Sequence, residues 1–201
     1  MSDLAERALS VLGSARKVSS DFDLNPGTDL PADRKLRPAG VLLALAQQDR
    51  AWHIFLTKRS SALKHHPGQV AFPGGKQDPE DATITETALR EAEEEIGLPR
   101  HFARVVGTLP AHETVTGFLV TPSVAVIDTA FDVRRQPSEV EEVFTVPLDH
   151  VLVPSNYVIA SRRWRGRMRS YYAVPYGPYY IWGATARMLR GWADVFQERH
   201  G

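Results

Sequence analysis

The chain has 201 residues, 43% of them hydrophobic and 24% charged, which suits one soluble globular domain with a real core. Its 24 basic and 24 acidic residues cancel to a formal net charge of zero, so nothing draws the whole molecule to nucleic acid or an anionic membrane, and an anion site has to be local. With no cysteine, disulfides, thiolate metal sites and a cysteine nucleophile are excluded.

Residues 2–18 predict an amphipathic helix with Leu4, Ala8, Leu12 and Ala15 along one face. The same segment lacks the unbroken apolar stretch of a secretory signal and carries Asp3 and Glu6, which transit peptides avoid. No later run reaches the ~20 apolar residues of a membrane span, so the expectation is a cytoplasmic protein with no membrane partner. Asn25-Pro26-Gly27, Pro31 and Pro38 predict a loop over 20–38. Gly40 to Ala46 reads as a buried strand, Trp52 to Thr57 as a second, and Gln47 to Ala51 as the turn between them. A polar loop, Lys58 to Gly68, leads through the apolar Val70 to Phe72 into Pro73-Gly74-Gly75. The glycine pair reads as a turn or as a place where a ligand or helix comes close. After a loop at 77–81, Thr83 or Thr85 caps a helix that runs to about Ile96, with Gly97 in the C-cap position. Strands are expected at 103–109, 118–127 and 140–146, an arginine-rich hairpin at 156–163 and 168–174, and a final helix at 184–197. There is no internal repeat. Strands, one helix, strands, one helix is the order of an α/β fold with a mixed sheet and a helix on either side.

The chemistry concentrates in Arg90-Glu91-Ala92-Glu93-Glu94-Glu95-Ile96-Gly97-Leu98. On a helix, Glu91, Glu94 and Glu95 stand at i, i+3 and i+4 on one face, and Glu93 points away. Three carboxylates so placed repel one another unless a cation sits among them. Hard oxygen donors suit Mg²⁺ or Mn²⁺, which can also bridge phosphate oxygens and acidify a bound water. A solvated acidic surface is the bland reading of the string. Against it, carboxylates near a helix C-terminus oppose the macrodipole at about 0.3–1 kcal/mol each, and a plain surface gains nothing by that.

Gly75 followed by this string resembles the Nudix box, in which a glycine, a glutamate and R-E-U-x-E-E-x-G-U (U apolar) recur at fixed spacing. Arg90-Glu91, Glu94-Glu95, Gly97 and Leu98 match, with Ala92 at the first U. From Gly75 to Arg90 the spacing is one residue longer, and Asp81 or Ala82 takes the place of the first glutamate. Leu56-Thr57-Lys58-Arg59-Ser60, Lys64 and Gly68 to Gly75 are similar to the segment upstream of the box in coenzyme A pyrophosphatases, where arginine is usual at the place of Lys64. Matches continue to about residue 192, including Glu139-Val140 and Ile181 to Ala186.

The resemblance implies the Nudix fold, an α/β/α sandwich around a mixed sheet, over residues 36–201 after an N-terminal helix and loop at 1–35. It implies Mg²⁺- or Mn²⁺-dependent cleavage of coenzyme A or acyl-coenzyme A to 3′,5′-ADP and 4′-phosphopantetheine products. By residue match Glu91, Glu94 and Glu95 ligate the metal, and Arg90 holds a glutamate in place. Arg59, Lys64, Gly74 and Gly75 contact substrate. The general base is open among Glu91, Glu139 and Glu142. A Nudix hydrolase for ADP-ribose, NADH or a nucleoside triphosphate is the nearest alternative, and a non-catalytic Nudix-fold ligand sensor the next.

Lys58, Arg59, Lys64, His65 and His66 make a basic loop suited to substrate phosphates, or simply a solvated one. Arg162, Arg163, Arg165, Arg167 and Arg169 surround Trp164. That cluster in a neutral chain reads as an exposed hairpin or a homodimer contact rather than a nucleic-acid site. Tyr171, Tyr172, Tyr176, Tyr179 and Tyr180 supply core or interface residues, or the wall of a pocket for an adenine or pantetheine arm.

Overall fold

A computed structural model of the chain describes residues 3–14, 17–28, 34–63, 66–164 and 166–201, with Trp164 described by its backbone alone. Lys64, His65 and Arg165 lie outside the described residues.

The main sheet grows around two long strands, β2 (Arg37–Gln48) and β3 (Ala51–Arg59). They pair antiparallel through a two-residue turn in which Asp49 and Arg50 both have positive φ, the geometry that suits the right-handed twist of a hairpin. The other strands in chain order are β1 (Ser19–Ser20), β4 (Val70–Ala71), β5 (Gly74–Lys76), β6 (Ala103–Thr108), β7 (His112–Glu113), β8 (Phe118–Ile127) and β9 (Val140–Pro147). The sheet order is β1-β7-β8-β2-β3-β4, with β5 also on β2, β6 on β8 and β9 on β3. Because β2 runs parallel to β8, and β1 to β7, the sheet is mixed as expected.

Successive β2 side chains enter opposite cores, which is why that run is apolar at nearly every position. Leu42 and Ala44 meet Ala88, Ala92 and Ile96 of α2 (Ile84–Ile96) on one face. Leu43 and Leu45 face the cluster that holds Leu189, Trp192 and Phe196 of α4 (Ala184–His200) on the other. Each such fully buried Leu or Ile contributes about 1.5–3 kcal/mol. The result is the expected helix–sheet–helix sandwich, with α2 packed against β2 and β5.

Several elements differ from expectation. α1 (Asp3–Ser10) stops well short of residue 18. Gly13 at φ 76 turns the chain, with bonds from Leu12 N to Leu9 O and Ser14 N to Val11 O replacing the helical pattern. Ala5, Ala8 and Val11 still join the α4 core, and Trp192 Nε1 donates to Ala8 O at 3.0 Å. The expected loop at 20–38 contains the end of β1 and the start of β2. Gly74-Gly75 is no turn; it opens β5 and pairs with Val41 and Gly40. The arginine-rich hairpin, β10 (Val158–Trp164) and β11 (Arg167–Tyr176), forms a separate three-stranded sheet with β12 (Tyr179–Trp182). A one-turn helix, α3 (Leu148–Val151), precedes it. Among the described residues no helix is long and apolar enough to cross a membrane.

Candidate active site

α2 begins in a capping box. Thr83 Oγ1 accepts from Glu86 N, and the Glu86 carboxylate accepts from Thr83 N, both at 3.2 Å. Such a cap contributes about 1 kcal/mol. The helix ends at Gly97, whose φ of 72 suits glycine and whose N–H reaches the Ala92 and Glu93 carbonyls. With both ends fixed and Ala88, Ala92 and Ile96 buried, the carboxylate edge of α2 is turned toward β5.

Arg90 organises that edge. Its Nε and Nη2 grip Asp81 Oδ1 and Oδ2 at 3.0 and 2.9 Å, a two-point pair almost closed to solvent. Nη1 donates to Glu91 Oε1 at 3.0 Å and Glu94 Oε2 at 3.1 Å, and Nη2 reaches Lys76 O at 3.4 Å. Of Asp81 and Ala82, the two residues that alignment offers for the upstream glutamate's place, Asp81 is the one that bonds Arg90. Arg90 holds Asp81's carboxyl well below the usual range, and the guanidinium's own pKa is raised in return.

The three candidate ligands differ sharply in burial. Glu94 is 57% exposed, Glu91 15% and Glu95 only 4%. Gly74 N donates to Glu95 Oε2 at 3.3 Å. Gly75 leaves room for Glu91: a Cβ there would overlap Glu91 Oε1. The glycine pair thus serves two neighbouring carboxylates, one by its N–H and one by its missing side chain. Burial, then the charge of Glu91, pushes Glu95 up to about 8, with the Gly74 N–H and Arg59 pulling the other way. Burial also raises Glu91, against the pull of Arg90. Glu93 points away to Arg100 at 2.7 Å, as its helical position requires.

Among the described residues no three His, Asp or Glu side chains are gathered closely enough to hold an ion as they stand. The donor chemistry nonetheless fits a hard divalent cation. All three donors are carboxylates, and two are forced toward the neutral form by burial that a nearby cation would offset.

The remaining candidates separate in space. The charge of Glu139, the residue just before β9, reaches both Glu91 and Glu95. Glu142 instead accepts a 2.5 Å bond from Tyr179 Oη on β12. Arg59 acts electrostatically on Glu95, and its buried Nε has no hydrogen-bond partner among the described residues. Lys58 is committed to Glu141 at 2.7 Å, while Lys64 and His65 lie outside the described residues. Tyr172, Tyr176 and Tyr179 pack against the core, and Tyr179 stacks on Phe144. His112, unassigned by its sequence context, is fully buried, with Ser19 Oγ 2.9 Å from Nδ1 and Asp21 Oδ1 3.1 Å from Nε2. It ties β1 to β7.

The Nudix domain model matches residues 35–165. The chain is 40% identical over 154 residues to the "Uncharacterized Nudix hydrolase NudL" of Enterobacter sp. (strain 638), covering 77% of this chain and 80% of that protein. It is 39% identical over 161 residues to the protein of the same description from Photorhabdus laumondii, covering 80% and 86%. The crystal structure of a MutT protein from Methanosarcina mazei Go1 shares the fold, with a TM-score of 0.53 at 19% identity over 84% of this chain and 98% of that one. The sheet and its flanking helices are those of the Nudix fold, and the family match makes the chain a pyrophosphatase that acts on diphosphate-containing substrates. The chain belongs to the Nudix hydrolases, which as a family use divalent metal ions.

Proposed function

We propose that the chain cleaves the diphosphate bond of coenzyme A or an acyl-coenzyme A, giving 3′,5′-ADP and the (acyl-)4′-phosphopantetheine, with Mg²⁺ or Mn²⁺ at Glu91, Glu94 and Glu95. The observation that carries the reading is the convergence of two separate stretches of sequence. The segment Leu56 to Gly75, similar to that of coenzyme A pyrophosphatases, folds so that Arg59 and Gly74 both act on Glu95 of the carboxylate helix.

In this reading Arg90 sets the directions of Glu91 and Glu94, and the Gly74 N–H sets that of Glu95. A bound divalent cation supplies charge neutralisation on the diphosphate oxygens and a more acidic water. Arg59 and Lys64 hold phosphate oxygens, Arg59 with the buried Nε that has no acceptor among the described residues. Glu139 takes the proton of the attacking water. What favours it over Glu142 is its electrostatic reach to Glu91 and Glu95, whereas Glu142 is engaged by Tyr179. Glu91 is held by Arg90 and fits a ligand better than a base.

The test is mass-spectrometric product analysis with Mg²⁺ or Mn²⁺ on a panel of coenzyme A, ADP-ribose, NADH and nucleoside triphosphates, beside Glu94→Gln. Formation of 3′,5′-ADP and 4′-phosphopantetheine by the wild type and not by the variant is expected. Intact coenzyme A beside cleaved ADP-ribose or NADH would overturn the substrate assignment and leave the metal site standing.

A further inference from the structure

Beside the loop that leads to Gly74, the β10–β11 hairpin, β12 and the start of α4 enclose a separate cavity of about 220 Å³. That is smaller than the roughly 300–1,000 Å³ of sites that take a whole ligand, and it suits one ring system with its nearest substituent. Trp182 and Tyr171 form adjoining walls, with ring centroids 5.0 Å apart and planes tilted by 58°. The Arg162 guanidinium lies over the Trp182 ring, 4.3 Å from its centroid. Gln69, His66 and Arg169, whose guanidinium also lies over the Phe22 ring and acts on Asp21, are among the other lining residues. Asp21 also faces the cavity, but its Oδ1 meets His112 and its Oδ2 accepts from Val115 N at 2.8 Å, so both oxygens are engaged within the chain.

Aromatic rings and arginine planes are the protein surfaces on which nucleobases stack. Arginine also presents the fork that matches a phosphate. A half-open cavity that offers both and is about the size of one ring fits a mononucleotide end better than a run of nucleic acid. We propose that this pocket binds the base and adjoining phosphate of the nucleotide half of the substrate, the base against Trp182 and Tyr171 and the phosphate at Arg162 and Arg169. The proposal rests on the diphosphatase reading for its connection to catalysis. Gln69, on the pocket wall, and Gly74, which donates to Glu95, are five residues apart in sequence. An extended chain of that length spans at most about 18 Å. Thr185 Oγ1 of α4 donates to Val70 O at 3.2 Å and fixes that stretch against the pocket. A two-armed diphosphate held at the carboxylate helix can therefore set its nucleotide arm here.

The experiment is calorimetric titration of AMP and of inorganic phosphate into the full chain in EDTA, where no turnover occurs. Wild type, Arg162→Gln, Trp182→Leu and Trp182→Phe are compared. AMP is expected to bind the wild type more tightly than phosphate. Arg162→Gln and Trp182→Leu should each weaken AMP about tenfold, and Trp182→Phe, which keeps a ring, should restore binding to within about threefold. Arg162 is exposed, so its replacement is expected to change stability by about 0.5 kcal/mol, checked by the urea midpoint of each variant. Equal AMP affinity in wild type and both weakening variants, no AMP binding by the wild type at millimolar concentration, or phosphate binding as tightly as AMP would each overturn the proposal. Because binding is read without hydrolysis, failure to cleave any diphosphate would sink the functional reading separately.

Discussion

Gly75→Ala isolates the geometry of the carboxylate edge better than any charge removal. Gly75 lies in β5 opposite Gly40 and outside the positive-φ region, so its backbone accepts alanine. The added methyl, however, would stand 2.6 Å from Glu91 Cδ and closer still to Oε1. Ordinary carbon contacts are about 3.5–4.0 Å, so the Glu91 carboxylate has to move by about 1 Å. It cannot do so without loosening its 3.0 Å bond to Arg90. Overpacking of this kind typically costs about 1–3 kcal/mol of stability. A 1 Å misplacement in a reacting constellation costs about 100-fold in rate. The assay is kcat on whichever diphosphate the wild type cuts, beside a urea midpoint on the same preparation. A variant that keeps its fold and loses about 100-fold in kcat is expected. A rate within twofold of wild type would refute the idea that Gly75 is there to admit Glu91.

Arg90→Ala leaves Asp81 without its partner, and the cost is about 3 kcal/mol or more in urea unfolding, with Arg90→Lys recovering part of it. Because Arg90 holds Asp81's carboxyl below its usual range, the pair's stabilisation is complete above the unfolded value of about 3.9 and is lost as pH falls through the folded one. Asp81→Asn should flatten that acid limb. Glu95 runs the other way. Its pKa, pushed up to about 8 by burial and Glu91, makes the metal-free fold bind an extra proton and lose stability as pH rises from about 4.3 toward that value. Metal binding has to displace the proton, so Mg²⁺ titrations at pH 7 in two buffers of different ionisation enthalpy should show close to one proton released, and none would contradict the burial argument. Thr83→Ala removes the hydroxyl that accepts from Glu86 N, leaves the Thr83 N–H to donate to the Glu86 carboxylate, and should lower stability by about 1 kcal/mol, read from the urea midpoint.

Local signals carried far in this chain. The apolar run of β2, a threonine cap and the Gly97 stop are all visible as residue patterns, and α2 runs where they put it, with Thr83 rather than Thr85 as the cap. The i, i+3, i+4 spacing also placed the three glutamates on one edge. What it could not show is their unequal burial, because that comes from β5 closing over the helix. Gly74-Gly75 reads in one dimension as a turn or a close approach; the close approach, of α2's Glu91 to Gly75, is what forms, and the pair becomes a strand only by pairing with Gly40 and Val41, far away in sequence. Asp81 was one of two residues for its slot, and only Arg90's two-point grip chooses between them. The Trp182–Tyr171–Arg162 pocket is assembled from two strands and a cation across the hairpin, so sequence could nominate tyrosines and arginines for it but not select among them.

The most direct test of the carboxylate edge as the metal centre is Mn²⁺ binding by electron paramagnetic resonance, measured with hydrolysis on wild type and Glu95→Gln. Wild type should bind Mn²⁺ and cleave its diphosphate, and the variant should lose both while unfolding at a similar urea concentration. A folded Glu95→Gln protein that still binds Mn²⁺ and cleaves at the wild-type rate would contradict the account.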